Sequence, residues 1–161
     1  MYRKISQEMT EFLKECPTAI HAVEKIRKEL EDNGYERLRE NEEWEIKPGG
    51  KYFAMRNDSS IIAFSIGEKP ENCSFNIAAS HSDSPTFKVK ENAELEVKKK
   101  YMQLNTEGYG GMLCATWFDR PLSVAGRVIV KEKDHFVTRL VNIERDLVMI
   151  PSVAIHMNRT I

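Results

Sequence analysis

The residue types and spacing in this chain best suited to chemistry are a histidine and an aspartate two positions apart, in Ser80-His81-Ser82-Asp83-Ser84-Pro85. In extended backbone, side chains two apart project to the same side, so His81 and Asp83 share one face. Zinc takes neutral imidazole, and the ring nitrogen that does not bind the metal needs an acceptor to fix the tautomer. A neighbouring carboxylate can be that acceptor, an arrangement typically worth about 10–100-fold in metal affinity or activity. The alternative is a turn in which the two side chains hydrogen-bond for structural reasons alone, and a three-residue pattern does not separate the two readings. Even on the metal reading this is half a site, because a catalytic zinc normally needs about three protein ligands.

Other candidates carry less. His156 follows Ile155 and precedes Arg159 by three positions. A histidine and an arginine on one face could grip a substrate or a transition-state anion. Trp117-Phe118-Asp119-Arg120 reads as an ion-paired corner beside an aromatic anchor. Glu107 reads as an isolated surface acid in a glycine-flanked loop, and Gly108-Tyr109-Gly110-Gly111 as a turn or close-packing point rather than a phosphate cradle. His21, inside a helical stripe, reads as a surface or capping histidine. A GxSxG elbow, an HExxH helix, a Walker loop and a GxGxxG turn are all absent.

The elements that must position these groups follow from the apolar pattern. Residues 2–16 place Ile5, Met9, Phe12 and Leu13 at helical spacing, which predicts a helix with one stripe facing a core. Thr18 is suited to cap a second helix carrying Ile20, Val23, Ile26 and Leu30, which should stop at Asn33-Gly34. After the turn signal Lys47-Pro48-Gly49-Gly50, residues 52–56 and 61–66 read as a hairpin around Asn57-Asp58-Ser59-Ser60. Residues 75–79, FNIAA, form an apolar run without alternation, predicting a strand buried on both faces that delivers His81 and Asp83 at its end. Open α/β sheets place their sites at such strand ends. Beyond Pro85, residues 86–90, 94–98, 101–105, 122–131 and 135–142 alternate or carry β-branched residues, so the second half reads as β-rich.

Composition narrows the function classes. The chain has 161 residues, 41% of them apolar and 30% charged, as in soluble globular proteins. Its 24 Lys plus Arg balance 25 Asp plus Glu, which leaves no field to draw in nucleic acid or an anionic membrane. The run Lys98-Lys99-Lys100 reads as a solvated strand end. Cys16, Cys73 and Cys114 are odd in number and far apart, with no CxxC pair, which argues against a disulfide framework or zinc knuckle and for a reducing, cytoplasmic setting. The N-terminus lacks the apolar core of a signal peptide, and no apolar run approaches the ~20 residues a membrane span requires.

Taken in order, several segments resemble one family. They are Cys16-Pro17-Thr18-Ala19-Ile20-His21-Ala22-Val23, Lys47-Pro48-Gly49-Gly50-Lys51-Tyr52, Ser80-His81-Ser82-Asp83-Ser84-Pro85, Glu107-Gly108-Tyr109-Gly110-Gly111, Thr116-Trp117-Phe118-Asp119-Arg120, Ala125-Gly126-Arg127-Val128 and Ile150-Pro151-Ser152-Val153-Ala154-Ile155-His156-Met157. The ordered set resembles the N-terminal part of the aspartyl aminopeptidase family, which includes vacuolar aminopeptidase I and consists of dinuclear zinc aminopeptidases. The resemblance implies an α/β fold, with residues 1–88 the N-terminal part of a catalytic domain and residues 89–161 an incomplete, β-rich dimerisation domain inserted within it. It implies that His81 is a zinc ligand, that Asp83 is the catalytic aspartate supporting the metal centre, and that His156 contacts substrate in trans from a partner subunit. It further implies two zinc ions in the complete enzyme, a peptide substrate, and a homo-oligomer built from dimers toward a tetrahedral dodecamer.

The family's bridging aspartate, its paired glutamates (one the general base) and its later aspartate and histidine ligands have no counterpart here. The chain is therefore expected to be truncated at its C-terminus and to have little or no peptidase activity alone. The reading from a different class is a non-catalytic oligomerisation fragment. The preferred N-terminal residue, acidic or neutral, is not encoded in these segments.

Overall fold

The computed structural model describes residues 2–69, 71 and 74–157, and two compact units divide the chain. Met1–Asp83 with Ala125–Asn142 form one; Ser84–Val124 with Ile143–Ile161 form the other. Cys73 and Arg159, both noted in the sequence, lie outside the described residues.

In the first unit, helix α1 spans Tyr2–Glu15 and helix α2 spans Ala19–Asp32. Thr18, in extended backbone, caps α2: its Oγ1 accepts from the His21 amide at 3.4 Å and lies 2.8 Å from His21 Nδ1. At the other end Asn33 bonds back to the last turn and Gly34 takes φ 78°, the left-handed conformation glycine adopts without steric cost. A three-stranded sheet follows, in the order β1 (Glu36–Leu38), β2 (Lys51–Arg56), β3 (Ser60–Ser65). β1 runs parallel to β2, and β2 pairs antiparallel with β3. Asn57, Asp58 and Ser59 connect β2 to β3; Asn57 and Asp58 take positive φ at the centre of a turn in which the Ser59 amide donates to the Arg56 carbonyl at 3.2 Å.

Tyr52, Phe53 and Ala54 are all buried. Consecutive strand residues face opposite ways, so both faces of β2 are covered. With Ala22 and Val23 of α2 and Leu38 of β1, these residues make the core. Trp44 and Tyr52 both lie against the Phe64 ring, at centroid distances of 6.5 and 5.6 Å. The Lys47 amide donates to Tyr52 Oη at 3.0 Å, which ties the turn ahead of β2 to the core. A methyl group at Gly50 would lie 2.5 and 2.6 Å from Tyr52 ring carbons. Gly50→Ala is therefore expected to cost about 1–3 kcal/mol by overpacking, read as a lower urea midpoint with an unchanged slope.

Partial burial lowers the His21 pKa below its usual 6.5. The folded state thus binds this proton less readily than the unfolded chain does. Stability from neutral His21 is complete above the unfolded value of about 6.5 and is lost as pH falls through the lower folded value. Urea midpoints should drop between pH 7.5 and pH 5.5, and His21→Gln should shrink that drop.

The first unit also holds a hairpin of β6 (Ala125–Glu132) and β7 (His135–Asn142), numbered after the two strands of the second unit. Arg127 Nη1 donates to the Asn57 carbonyl at 3.0 Å. The second unit contains β4 (Thr86–Val97) paired antiparallel with β5 (Tyr101–Tyr109), with a register shift between Val89 and Glu94. Lys98 and Lys99 have positive φ in the connecting turn, so the basic run is an exposed hairpin tip. A short 3-10 turn at Cys114–Trp117 follows, and Trp117 meets Phe87 edge-on at 5.4 Å.

The mixed α/β character and the β-rich second half agree with the sequence. Three expectations need correction. The α1 stripe does not enter a core: no residue of the helix is buried, Ile5, Met9 and Leu13 are exposed, and Phe12 is only half-buried. Residues 75–79 form no strand, with Phe75 84% and Ile77 85% exposed. A strand needs a partner for its backbone groups, and no ladder among the described residues includes this run. Glu107 is not in a loop: it lies in β5 opposite Lys88, whose Nζ is 3.9 Å from its carboxylate.

Candidate functional site

The His81-x-Asp83 segment is extended loop rather than strand end. Ser82 holds it: its hydroxyl donates to the Ser59 carbonyl at 3.0 Å, fastening the segment to the β2–β3 turn. The residues on either side of Ser82 are then displayed together, as the two-residue spacing predicts. His81 Nδ1 is 3.0 Å from Asp83 Oδ1 and 2.8 Å from the Asp83 carbonyl oxygen. Two acceptors facing one ring nitrogen favour the tautomer that carries its proton there, leaving the lone pair on Nε2. That is the form in which imidazole binds a metal, with a carboxylate behind it. The His81 side chain is 81% exposed and that of Asp83 44%.

The described residues do not make a complete zinc site. They contain no group of three His, Cys, Asp or Glu side chains placed to hold a metal ion. The pair supplies one imidazole and one carboxylate engaged with it, against the roughly three protein ligands a catalytic zinc takes.

His156 belongs to the second unit. It is exposed, in a turn at residues 155–157 where the Met157 amide donates to the Ala154 carbonyl at 2.8 Å. The approach to that turn is fixed by Asp119. The expected Asp119–Arg120 corner is not ion-paired; Asp119 engages Ser152, 33 positions away, through its backbone amide at 2.9 Å and through its hydroxyl. These two donors, the hydroxyl foremost, hold the Asp119 carboxyl below its ordinary value. Gly110 takes φ 73°, and a methyl group added there would meet Pro85 only at an ordinary contact distance of 3.5 Å, so the left-handed backbone of a turn, rather than crowding, calls for glycine.

The mixed α/β fold is shared with solved structures of one family. Residues 12–161 match the model of the aminopeptidase I zinc metalloprotease (M18) family, and the chain belongs to that family. Among curated relatives, a probable M18 family aminopeptidase 2 of Clostridium novyi is 45% identical over 161 residues, covering 98% of this chain and 37% of the relative. Among solved structures, mApe1 of Chaetomium thermophilum superposes with a TM-score of 0.85 at 38% identity, over 96% of this chain and 36% of that one. The mApe1 dodecamer of S. cerevisiae gives a TM-score of 0.80 at 28% identity, over 94% of this chain and 36% of that one. The chain thus spans a little over a third of the length of its relatives. No described helix is long and apolar enough to cross a membrane.

Proposed function

We propose that this chain is the N-terminal portion of a zinc-dependent aminopeptidase that removes N-terminal residues from peptides. The observation that supports the reading most is the His81–Asp83 pair, whose hydrogen bonds fall on Nδ1 and leave Nε2 to a metal. In this reading His81 is a ligand in a dinuclear zinc centre and Asp83 is the catalytic aspartate that orients it. The remaining ligands and the general base come from sequence outside this chain. His156 contacts substrate across a subunit boundary. Residues 1–88 belong to the catalytic domain and residues 89–161 to the inserted dimerisation domain of a cytoplasmic homo-oligomer that builds from dimers toward a dodecamer.

The experiment is complementation. This chain, alone and joined in frame to the part of the Clostridium novyi relative beyond the matched region, is assayed on aminoacyl-4-nitroanilides. The hybrid should turn over substrate in a chelator-sensitive manner; the chain alone should show no turnover and no tight zinc site by calorimetry. An inactive but folded hybrid counts against the peptidase reading, and chelator-sensitive turnover by the chain alone counts against its incompleteness.

One observation favours the oligomerisation reading. Register places Ile129, Phe136 and Leu140 on one face of the β6–β7 hairpin, with Ile129 70% and Phe136 71% exposed. Arg127, Lys131 and Thr138 share that face, so it presents three apolar side chains among polar ones, a mixed surface of the kind a second copy of the chain could cover. Light scattering on the eluting peak separates the cases, since a monodisperse monomer removes this reading.

A further inference from the structure

We propose that Asp119 is a positioning residue for His156, clamping the segment that leads to it. The proposal rests on the reading of His156 as a substrate-contacting group, and it assigns the machinery that holds that group in place. Asp119 sits at φ 53°, a left-handed conformation that aspartate tolerates better than most residues. From there it engages the facing segment three times. Its amide donates to the Ile150 carbonyl at 2.9 Å; its Oδ1 accepts from the Ser152 amide at 2.9 Å; its Oδ2 accepts from the Ser152 hydroxyl. Parallel bridging of Phe118 with Ile150, and antiparallel bridging of Leu122 with Val148, extend the attachment upstream.

Side-chain chemistry explains the choice of residue. A carboxylate offers an acceptor to both Ser152 donors at once, while an amide offers one oxygen and an alanine none. Both carboxylate oxygens of Asp119 are engaged by Ser152, one by its amide and the other by its hydroxyl. Beyond Ser152 only Val153, Ala154 and Ile155 intervene before His156, and the Ala154–Met157 turn bond closes that short arm. An exposed imidazole on such an arm depends on its root. A displacement of about 1 Å at a reacting group can cost roughly 100-fold in rate.

The test is a double-mutant cycle in the active hybrid, with Asp119→Ala, His156→Ala and the pair, each checked for assembly and thermal midpoint. Asp119→Ala is expected to lower kcat/KM by about 10–100-fold, to lose nothing further when His156 is already alanine, and to be partly rescued by Asp119→Asn. Ser152→Ala should give a smaller loss of the same kind and stands in if Asp119→Ala does not assemble. Wild-type rates in Asp119→Ala and Ser152→Ala, or losses that multiply with that of His156→Ala, overturn the positioning role while leaving the His156 reading intact. Wild-type rates in His156→Ala overturn the His156 reading itself, and the positioning role with it. Independently of activity, amide exchange on the chain should show protection at Ser152 that Asp119→Ala abolishes while β4–β5 amides are unchanged; a Ser152 amide that exchanges freely in the unaltered chain overturns the clamp.

Discussion

Phe53→Ala is expected to abolish cooperative folding of the first unit near neutral pH, or to bring it to the edge of doing so. Phe53 and Val23 are the fully buried large side chains among the described residues, and they sit in a core of only six buried residues. Truncating a buried phenylalanine typically costs about 3–5 kcal/mol, from lost transfer energy and the cavity left behind. A domain's whole stability is about 5–15 kcal/mol, and so small a core belongs at the low end of that range. Surrounding side chains cannot collapse into the gap, because β2 is paired on both edges, with β1 and β3. Urea unfolding followed by tryptophan fluorescence reads the loss, since Trp44 stacks on Phe64 beside this core. Ile5→Ala, at an exposed position in helix α1, should change stability by no more than about 0.5 kcal/mol and serves as the control.

The second large effect falls on activity. In the hybrid enzyme, His81→Ala is expected to reduce kcat by about three orders of magnitude or more, the several kcal/mol that a metal supplies to a transition state. Asp83→Ala should act more mildly, about 10–100-fold, because it removes the partner of a ligand rather than a ligand. Ser82→Ala should be milder again, since it frees the loop at the Ser59 carbonyl but leaves the His81–Asp83 contact in place. That order of severity, His81 then Asp83 then Ser82, distinguishes a metal half-site from a hydrogen-bonded turn. In a turn, either partner's removal costs a similar amount and the cost appears in stability rather than in rate.

Local chemistry made part of this legible. Helix α2 could be bounded from Thr18 and Asn33-Gly34 because caps act over a few residues, and the Asn57-Asp58 turn because positive φ selects those residue types. The His81–Asp83 contact was legible for the same reason: two positions in extended backbone suffice. β1 was missed, since Glu36–Leu38 is a mostly polar three-residue strand with no alternation to detect, and its parallel pairing with β2 skips a long connection. Residues 75–79 and the α1 stripe show the complementary failure. An apolar run records that a surface is suited to burial, but nothing in it says which residues cover it, and of these two runs only Phe12 is even partly covered among the described residues. The Asp119–Ser152 clamp was invisible because its partners are 33 positions apart and each looks locally satisfied, one by Arg120 beside it and the other as a turn residue after Pro151.

The central claim is that His81 is one ligand of a metal centre completed by residues outside this chain. Zinc content per protomer, measured by inductively coupled plasma mass spectrometry on the purified hybrid and its His81→Ala variant, tests it most directly. The account predicts bound zinc in the hybrid, a clear loss in the variant at unchanged assembly, and none retained by the isolated chain after desalting. Equal zinc in the hybrid and the His81→Ala variant would contradict it.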